Sequence, residues 1–213
     1  MSANSRAAAA ADKRRQILDA AITVFATRGF HACRVSDVAD EAGVAYGLVY
    51  HYFGSKEEIL NTLFTERWQI LLDAIAELDR QQDTSAREKL YLVGSFIIDS
   101  YRHEPDLMKV IIVEVTRAAN SFGRAHLAKI REAYDMIGQI VEKAQRQGVF
   151  KPDISPDFAA LMFYGAIEQL LSGWIFDVIP AGEADFEQAK LLVVEAICGG
   201  LEVPSAQAAA VSG

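Results

Sequence analysis

Cysteine is nearly absent from this 213-residue chain: Cys33 and Cys198 are its only two, far apart and outside any CxxC spacing. That excludes a disulfide framework, argues against a zinc site and fits a reducing compartment. The histidines His31, His51, His103 and His126 form no HExxH or comparable ligand pattern, and neither GxSxG nor GxxxxGK[ST] occurs. A Glu-x-x-His repeat, paired acids and a nucleophile with its base are also missing, so no enzyme and no cofactor are expected. No stretch approaches the roughly 20 unbroken apolar residues that a membrane helix needs, and no period-two alternation marks a strand. The opening MSANSRAAAAADKRRQ has an alanine run but no leucine-rich core ahead of a cleavage site. Residues 1–11 therefore read as a disordered lead-in rather than a secretion signal, and the cytoplasm is the expected location.

What is present is 51% hydrophobic and 23% charged, the balance of a folded soluble protein long enough for two units. The net charge of −8 is unevenly spread. Residues 1–56 carry Arg6, Lys13, Arg14, Arg15, Arg28, Arg34 and Lys56 against Asp12, Asp19, Asp37, Asp40 and Glu41, a balance of +2, and the remainder holds −10. Positive potential of the kind phosphates need is confined to the N-terminal quarter.

That quarter contains the most informative stretch, residues 35–60, VSDVADEAGVAYGLVYHYFGSKEEIL. Val38, Ala39 and Ala42 share one face of a short helix, Gly43 supplies the positive φ of a helix stop, and Val44 anchors the turn. Val49 and Phe53 lie on the buried side of a second helix. Its outward residues, Tyr46, Gly47, Leu48, Tyr50, His51 and Tyr52, suit the major groove of DNA better than solvent alone. This is a helix-turn-helix pattern.

The flanking sequence reads as helix throughout. From Asp12, Ile17, Leu18, Ala21, Ile22 and Phe25 recur at three-and-four spacing up to Gly29. Ser55 to Glu58 is a capping box that opens a long helix with Leu60, Leu63, Phe64, Trp68, Leu71, Ile75 and Leu78 on one stripe. A second box, Ser85 to Glu88, opens a helix with Leu90, Val93, Ile97, Ile98 and Tyr101 inward. Pro105 starts a mostly apolar helix through Val115, and a helix over about 121–147 ends at Gly148. Ser155-Pro156 caps a helix over about 157–177 that is apolar on two sides: Phe158, Leu161, Met162 and Gly165 on one, Phe163, Ile167, Leu170 and Trp174 on the other. The last helix, near 183–201, also has surplus apolar surface, which predicts a homodimer through these last two helices. The expected fold is all-α with about nine helices: a three-helix DNA-binding domain (12–56), a helical ligand-binding and dimerisation domain (57–203) and a disordered tail (204–213).

With Gly29-Phe30, Val35, Val38-Ala39, Ala42-Gly43-Val44, Gly47, Tyr50, Phe53 and Lys56 in this order and spacing, residues 12 to 60 resemble the DNA-binding domain of TetR-family transcriptional regulators. The resemblance implies a homodimer on a palindromic operator of double-stranded DNA, acting as a repressor released by a small ligand in the second domain. It implies that Tyr50 and Tyr52 touch DNA backbone or base edges, that Lys56 meets a phosphate, and that Gly47 lets the backbone approach closely. Thr or Ser is usual at Cys33 and Arg34, Ser at Ala45 and Thr at Leu48, so hydroxyl contacts are missing. Arg34 can replace one with a charge-assisted contact, Leu48 can meet a thymine methyl, and Tyr46 is a base-edge or sugar candidate. Ser36, Ala45 and His51 complete the set of DNA-facing candidates. A constitutive, sequence-nonspecific DNA-binding protein is the alternative.

A switch needs a cavity, and its apolar candidates are Phe96, Met108, Ile111, Ile112, Val115, Met136, Phe163 and Trp174, which would equally serve as ordinary core. Glu114 or Glu168, in otherwise apolar helices, needs a partner. The segment VEVTRAAN (113–120), the basic helix after it and FYGAIEQLLSGWIFD (163–177) resemble the FadR-like, acyl-CoA-responsive branch of the family. That implies an acyl chain in the apolar interior and CoA phosphates on Arg117, Arg124 or Arg131.

Overall fold

The computed structural model describes residues 3–115 and 119–202. They form α1 (Ala3–Arg28), α2 (Val35–Glu41), α3 (Tyr46–Tyr52), α4 (Lys56–Arg80), α5 (Ala86–His103), α6 (Pro105–Lys109), α7 (Ala119–Arg146), α8 (Pro156–Ile175) and α9 (Glu183–Leu201). Among the described residues the only extended pairing is one antiparallel bridge, Phe150 to Glu202. The tail after residue 202 and the cation Arg117 lie outside the described residues.

Local chemistry sets most helix ends. Ser55 Oγ accepts from Glu58 N at 3.1 Å, Ser85 Oγ from Glu88 N at 3.2 Å, and Ser155 Oγ from Phe158 N at 3.5 Å, so all three predicted caps form. Gly43 and Gly148 adopt φ of 61° and 73° and close matching C-terminal motifs. After α2, Val44 N donates to Ala39 O at 3.0 Å and Gly43 N to Asp40 O at 3.1 Å, while Val149 N and Gly148 N do the same for α7. α8 ends in the same motif with Asp177 at φ 53°, and Val178 N donates to Gly173 O at 2.8 Å. Aspartate tolerates the left-handed region without announcing it as glycine does, which is why this helix was read two residues too long.

Two expectations need correction. α1 starts at Ala3, so residues 3–11 are helix and not a disordered lead-in. Those of them with a described side chain are exposed, so alanine's high propensity, extending a helix nucleated further on, accounts for the extra turns. The predicted apolar helix 105–115 is instead a short α6 followed by π-helical turns over Val110–Val115. Val110, Ile111, Ile112 and Val113 are successive β-branched residues, and their crowding against the preceding turn favours the wider winding.

The described chain divides into two compact units whose borders differ from the predicted 12–56 and 57–203 domains. Unit 1 holds residues 1–67 and 104–126; unit 2 holds 68–103 and 127–213. In unit 1, Ile17, Ala21 and Phe25 of α1, Val38 and Ala39 of α2, Val49 of α3 and Ile59, Leu60 and Phe64 of α4 are buried, together with Met108, Val110 and Ile111. The opening turns of α4 therefore belong to the reading head's own core. In unit 2, α5 packs on α8 and α9 through Leu90, Val93, Ile97, Phe163, Ile167, Val193 and Val194. Phe163 lies 3.5 Å from where a Cβ on Gly94 would stand, so that glycine makes room for the ring. Lys190, almost fully buried, joins Asp99 at 2.7 Å and Glu187 at 2.6 Å and ties α9 to α5.

Candidate DNA-reading face and effector-domain interior

α1 and the start of α4 hold the helix-turn-helix in place. Gln16 Nε2 donates to Ala42 O at 2.6 Å, fixing the turn against α1. Arg14 pairs with Glu66 at 2.6 Å and its guanidinium lies 5.5 Å from the centre of the Phe53 ring. At the start of α2, Asp37 accepts from Arg34 N at 2.7 Å and from Arg28 at 2.9 Å. Gln16, Arg14 and Asp37 are positioning groups that periodicity alone does not reveal, since each acts across a gap in sequence.

On this support α3 presents Tyr46 and Tyr50, 52% and 43% exposed. Their rings meet edge to face at 5.0 Å, and Tyr46 OH donates to Tyr50 OH at 3.2 Å. Tyr50, as the acceptor of that bond, keeps its own O–H free to donate outward. A Cβ on Gly47 would meet nothing within 4 Å, so no neighbour in the chain demands glycine there. His51 is exposed, Tyr52 and Leu48 are half-buried, and the His51 and Tyr52 rings touch at 5.3 Å. Ala45 is the exposed residue ahead of α3 and offers no side-chain cap. Ser36 is half-buried, and Arg34, exposed, has no side-chain hydrogen bond or ion pair among the described residues.

Lys56 is placed differently from the other candidates. Its ammonium donates to Phe30 O at 2.5 Å and Cys33 O at 2.9 Å, and sits 4.5 Å from the Phe30 ring centre. Two of its three N–H groups are thus spent on the loop between α1 and α2.

The residues expected to line a ligand cavity do not gather in one unit. Met108, Ile111, Ile112, Val115 and Arg124 belong to unit 1, and Phe96, Arg131, Met136, Phe163 and Trp174 to unit 2. The side chains of Val115 and Arg124 lie outside the described set. Phe163 is core, as above. Trp174 stacks on Tyr101 at 5.7 Å, meets Phe186 at 4.7 Å and donates Nε1–H to Pro180 O at 2.8 Å, so it pins the α8–α9 connection. Arg131 is exposed on α7.

Within unit 2 the sequence reading passed over another group. Trp68 of α4, Tyr134 of α7 and Tyr164 of α8 form an aromatic cluster, with Tyr164 5.8 Å from Trp68 and 5.3 Å from Tyr134. Glu168 follows Tyr164 by one turn. Burial pushes the Glu168 carboxyl and both phenols above their ordinary pKa values.

Comparison with known proteins agrees with this layout. Residues 17–63 match the family described as bacterial regulatory proteins, tetR family, and residues 64–186 match the YsiA-like protein, C-terminal region. The fatty acid metabolism regulator protein of Bacillus subtilis is 32% identical over 166 residues, covering 78% of this chain and 84% of that protein. The HTH-type transcriptional repressor KstR2 of Mycolicibacterium smegmatis is 27% identical over 202 residues, covering 90% and 91%. The crystal structure of FadR from Bacillus subtilis in complex with stearoyl-CoA superposes with a TM-score of 0.74 at 27% identity, over 87% of this chain and 98% of that one. With its helix-turn-helix head, its all-helical second part and matches that together run from residue 17 to residue 186, the chain belongs to the TetR family and is a DNA-binding transcriptional regulator, not an enzyme.

Proposed function

We propose that this regulator is a homodimeric repressor that holds a palindromic operator through α3 of each protomer and releases it when an acyl-CoA enters the helical domain. The observation that carries the DNA half is the outward face of α3: two exposed, mutually bonded phenols beside a glycine that nothing in the chain requires. Phenols, His51 and Arg34 offer donors to phosphates and base edges, and Gly47 lets the backbone come close. Lys56 supports this face chiefly by holding the α1–α2 loop, with one N–H left for a phosphate.

The acyl-CoA half is supported by two relatives, the fatty acid metabolism regulator protein of Bacillus subtilis and the FadR structure in complex with stearoyl-CoA. Such an effector acts by binding one arrangement of the dimer better than the other. Arg131, exposed on α7, and Lys129, whose ammonium also donates to Gln69, would be the cations for its phosphates. The dimer is supported by Phe158, Leu161 and Met162 of α8 and Leu191 and Leu192 of α9, all large, apolar and roughly half or more exposed on adjacent helices of unit 2. A second copy of the same face would cover them. The protein would work in the cytoplasm, where its DNA is.

The test is operator binding to DNA upstream of the protein's own gene, with and without acyl-CoAs of graded chain length. Release by one length class supports the reading. Binding without sequence preference, unaffected by any acyl-CoA, would instead make this a constitutive DNA-binding protein.

A further inference from the structure

Asp157 in the first turn and Glu168 in the interior are the only charged residues of α8. Glu168 is half-buried and makes no ion pair or hydrogen bond among the described residues. Tyr164 stands one turn earlier on α8, its ring 5.3 Å from that of Tyr134 on α7, and both phenols feel the charge of Glu168. Trp68 closes the other side of Tyr164. A half-buried carboxyl with no partner among the described residues carries a desolvation cost that a leucine at this position would avoid. The cost is offset when an incoming group donates to the carboxyl and accepts from a phenol. Hydrocarbon does neither, and an anion accepts but cannot donate and is repelled by the ionised carboxyl. A hydroxyl or a secondary amide does both, whichever protonation state the carboxyl takes.

We propose that Glu168, Tyr164 and Tyr134 form a polar station inside unit 2 that binds a neutral hydrogen-bonding group of the effector, one that is donor and acceptor at once. This rests on the acyl-CoA reading, within which the group has two sources: a hydroxyl on the acyl chain, or an amide of the pantetheine arm. The station selects effectors by a group within them and not by chain length alone.

The test is calorimetric binding of palmitate, 3-hydroxypalmitate, palmitoyl-CoA and 3-hydroxypalmitoyl-CoA to the full-length protein and its E168L, E168Q and Y164F variants. E168L should weaken by about tenfold only the probes that carry the recognised group, as should Y164F, while E168Q, which keeps a donor and an acceptor, restores most of the affinity. Losses confined to the two hydroxylated probes assign the acyl hydroxyl; losses confined to the two CoA esters assign the pantetheine amide. If E168L binds every probe as the wild type does, or weakens all four equally, the station is disproved while the acyl-CoA reading stands. If none of the four binds the wild type, the acyl-CoA reading fails and the station falls with it.

Discussion

The two units turn different chemistry outward on helices of the same kind. On α3 the exposed large side chains end in hydroxyls or an imidazole: Tyr46, Tyr50 and His51. On α8 and α9 several are hydrocarbon or thioether: Phe158 at 69% exposed, Met162 at 63%, Leu192 at 59%. The first face can exchange hydrogen bonds with something polar, while the second would gain from losing contact with water. Their interiors differ too. The reading head is braced by contacts to backbone oxygens, Gln16 on Ala42 O and Lys56 on Phe30 O and Cys33 O, which hold its loops. Unit 2 is braced by ion pairs between helices, Lys190 with Asp99 and Arg87 with Glu202 and Glu195, which fix helix against helix. A DNA-reading surface depends on where loops place a short helix; unit 2 depends on how long helices pack.

The contrast can be broken most severely at the apolar face. Leu161→Asp combined with Leu192→Asp should convert dimer to monomer in sedimentation while leaving the helical spectrum intact. Operator affinity should then fall by about a hundredfold or more, since each half-site is bound alone. A dimer that persists with both charges in place would remove α8 and α9 from the interface.

At the polar face the expected effect is smaller. Tyr50→Phe and Tyr46→Phe should each weaken operator binding by about tenfold, and the double variant should lose little more than either single one, because the two phenols act through one hydrogen bond. Additive losses would show two independent contacts. Lys56→Ala sharpens the distinction between bracing and contact. It should lower the unfolding free energy by about 1–3 kcal/mol by leaving Phe30 O and Cys33 O short of a donor. The slope of operator affinity against salt should hardly change; a slope flattened by about one counterion would restore Lys56 as mainly a phosphate ligand.

The smallest effect concerns pH in unit 1. His126 is buried, its Nε2 lies 2.5 Å from Asn61 Oδ1, and its ring is packed at 4.1 Å against Phe64. Burial lowers its pKa below the usual 6.5, so the unfolded chain takes up a proton that the folded protein resists. Stability should be whole above about pH 6.5 and erode as pH falls below it. His126→Gln should flatten the fall in melting temperature between about pH 7.5 and about pH 5.5; an equal fall in both proteins would assign the effect to other groups.

Much of this protein is written in local signals. Gly29, Gly43 and Gly148 at positive φ, and the serines at 55, 85 and 155, mark helix ends by backbone chemistry that needs no tertiary partner, and they stand where the sequence puts them. The apolar stripes of α1, α4 and α5 likewise name their own buried faces, and the spacing around Gly43 is enough to identify a DNA-reading head. Where a helix has two apolar faces, pattern alone is silent. α8 could bury either, and only packing against α5 and α9 assigned Phe163, Ile167 and Trp174 to the core and left Phe158, Leu161 and Met162 outside. Long-range partners are equally invisible to periodicity: the carbonyls that hold Lys56, the indole that pins Pro180, and the phenols that gather around Glu168 come from residues far apart in the chain or from a turn whose closure no motif encodes. The sequence by itself determined the helices, their caps and the kind of partner the head reads. Tertiary structure decided which cations are braces, which aromatics are core and which carboxyl is left half-buried beside phenols, because burial and hydrogen-bond geometry exist only once the helices have met.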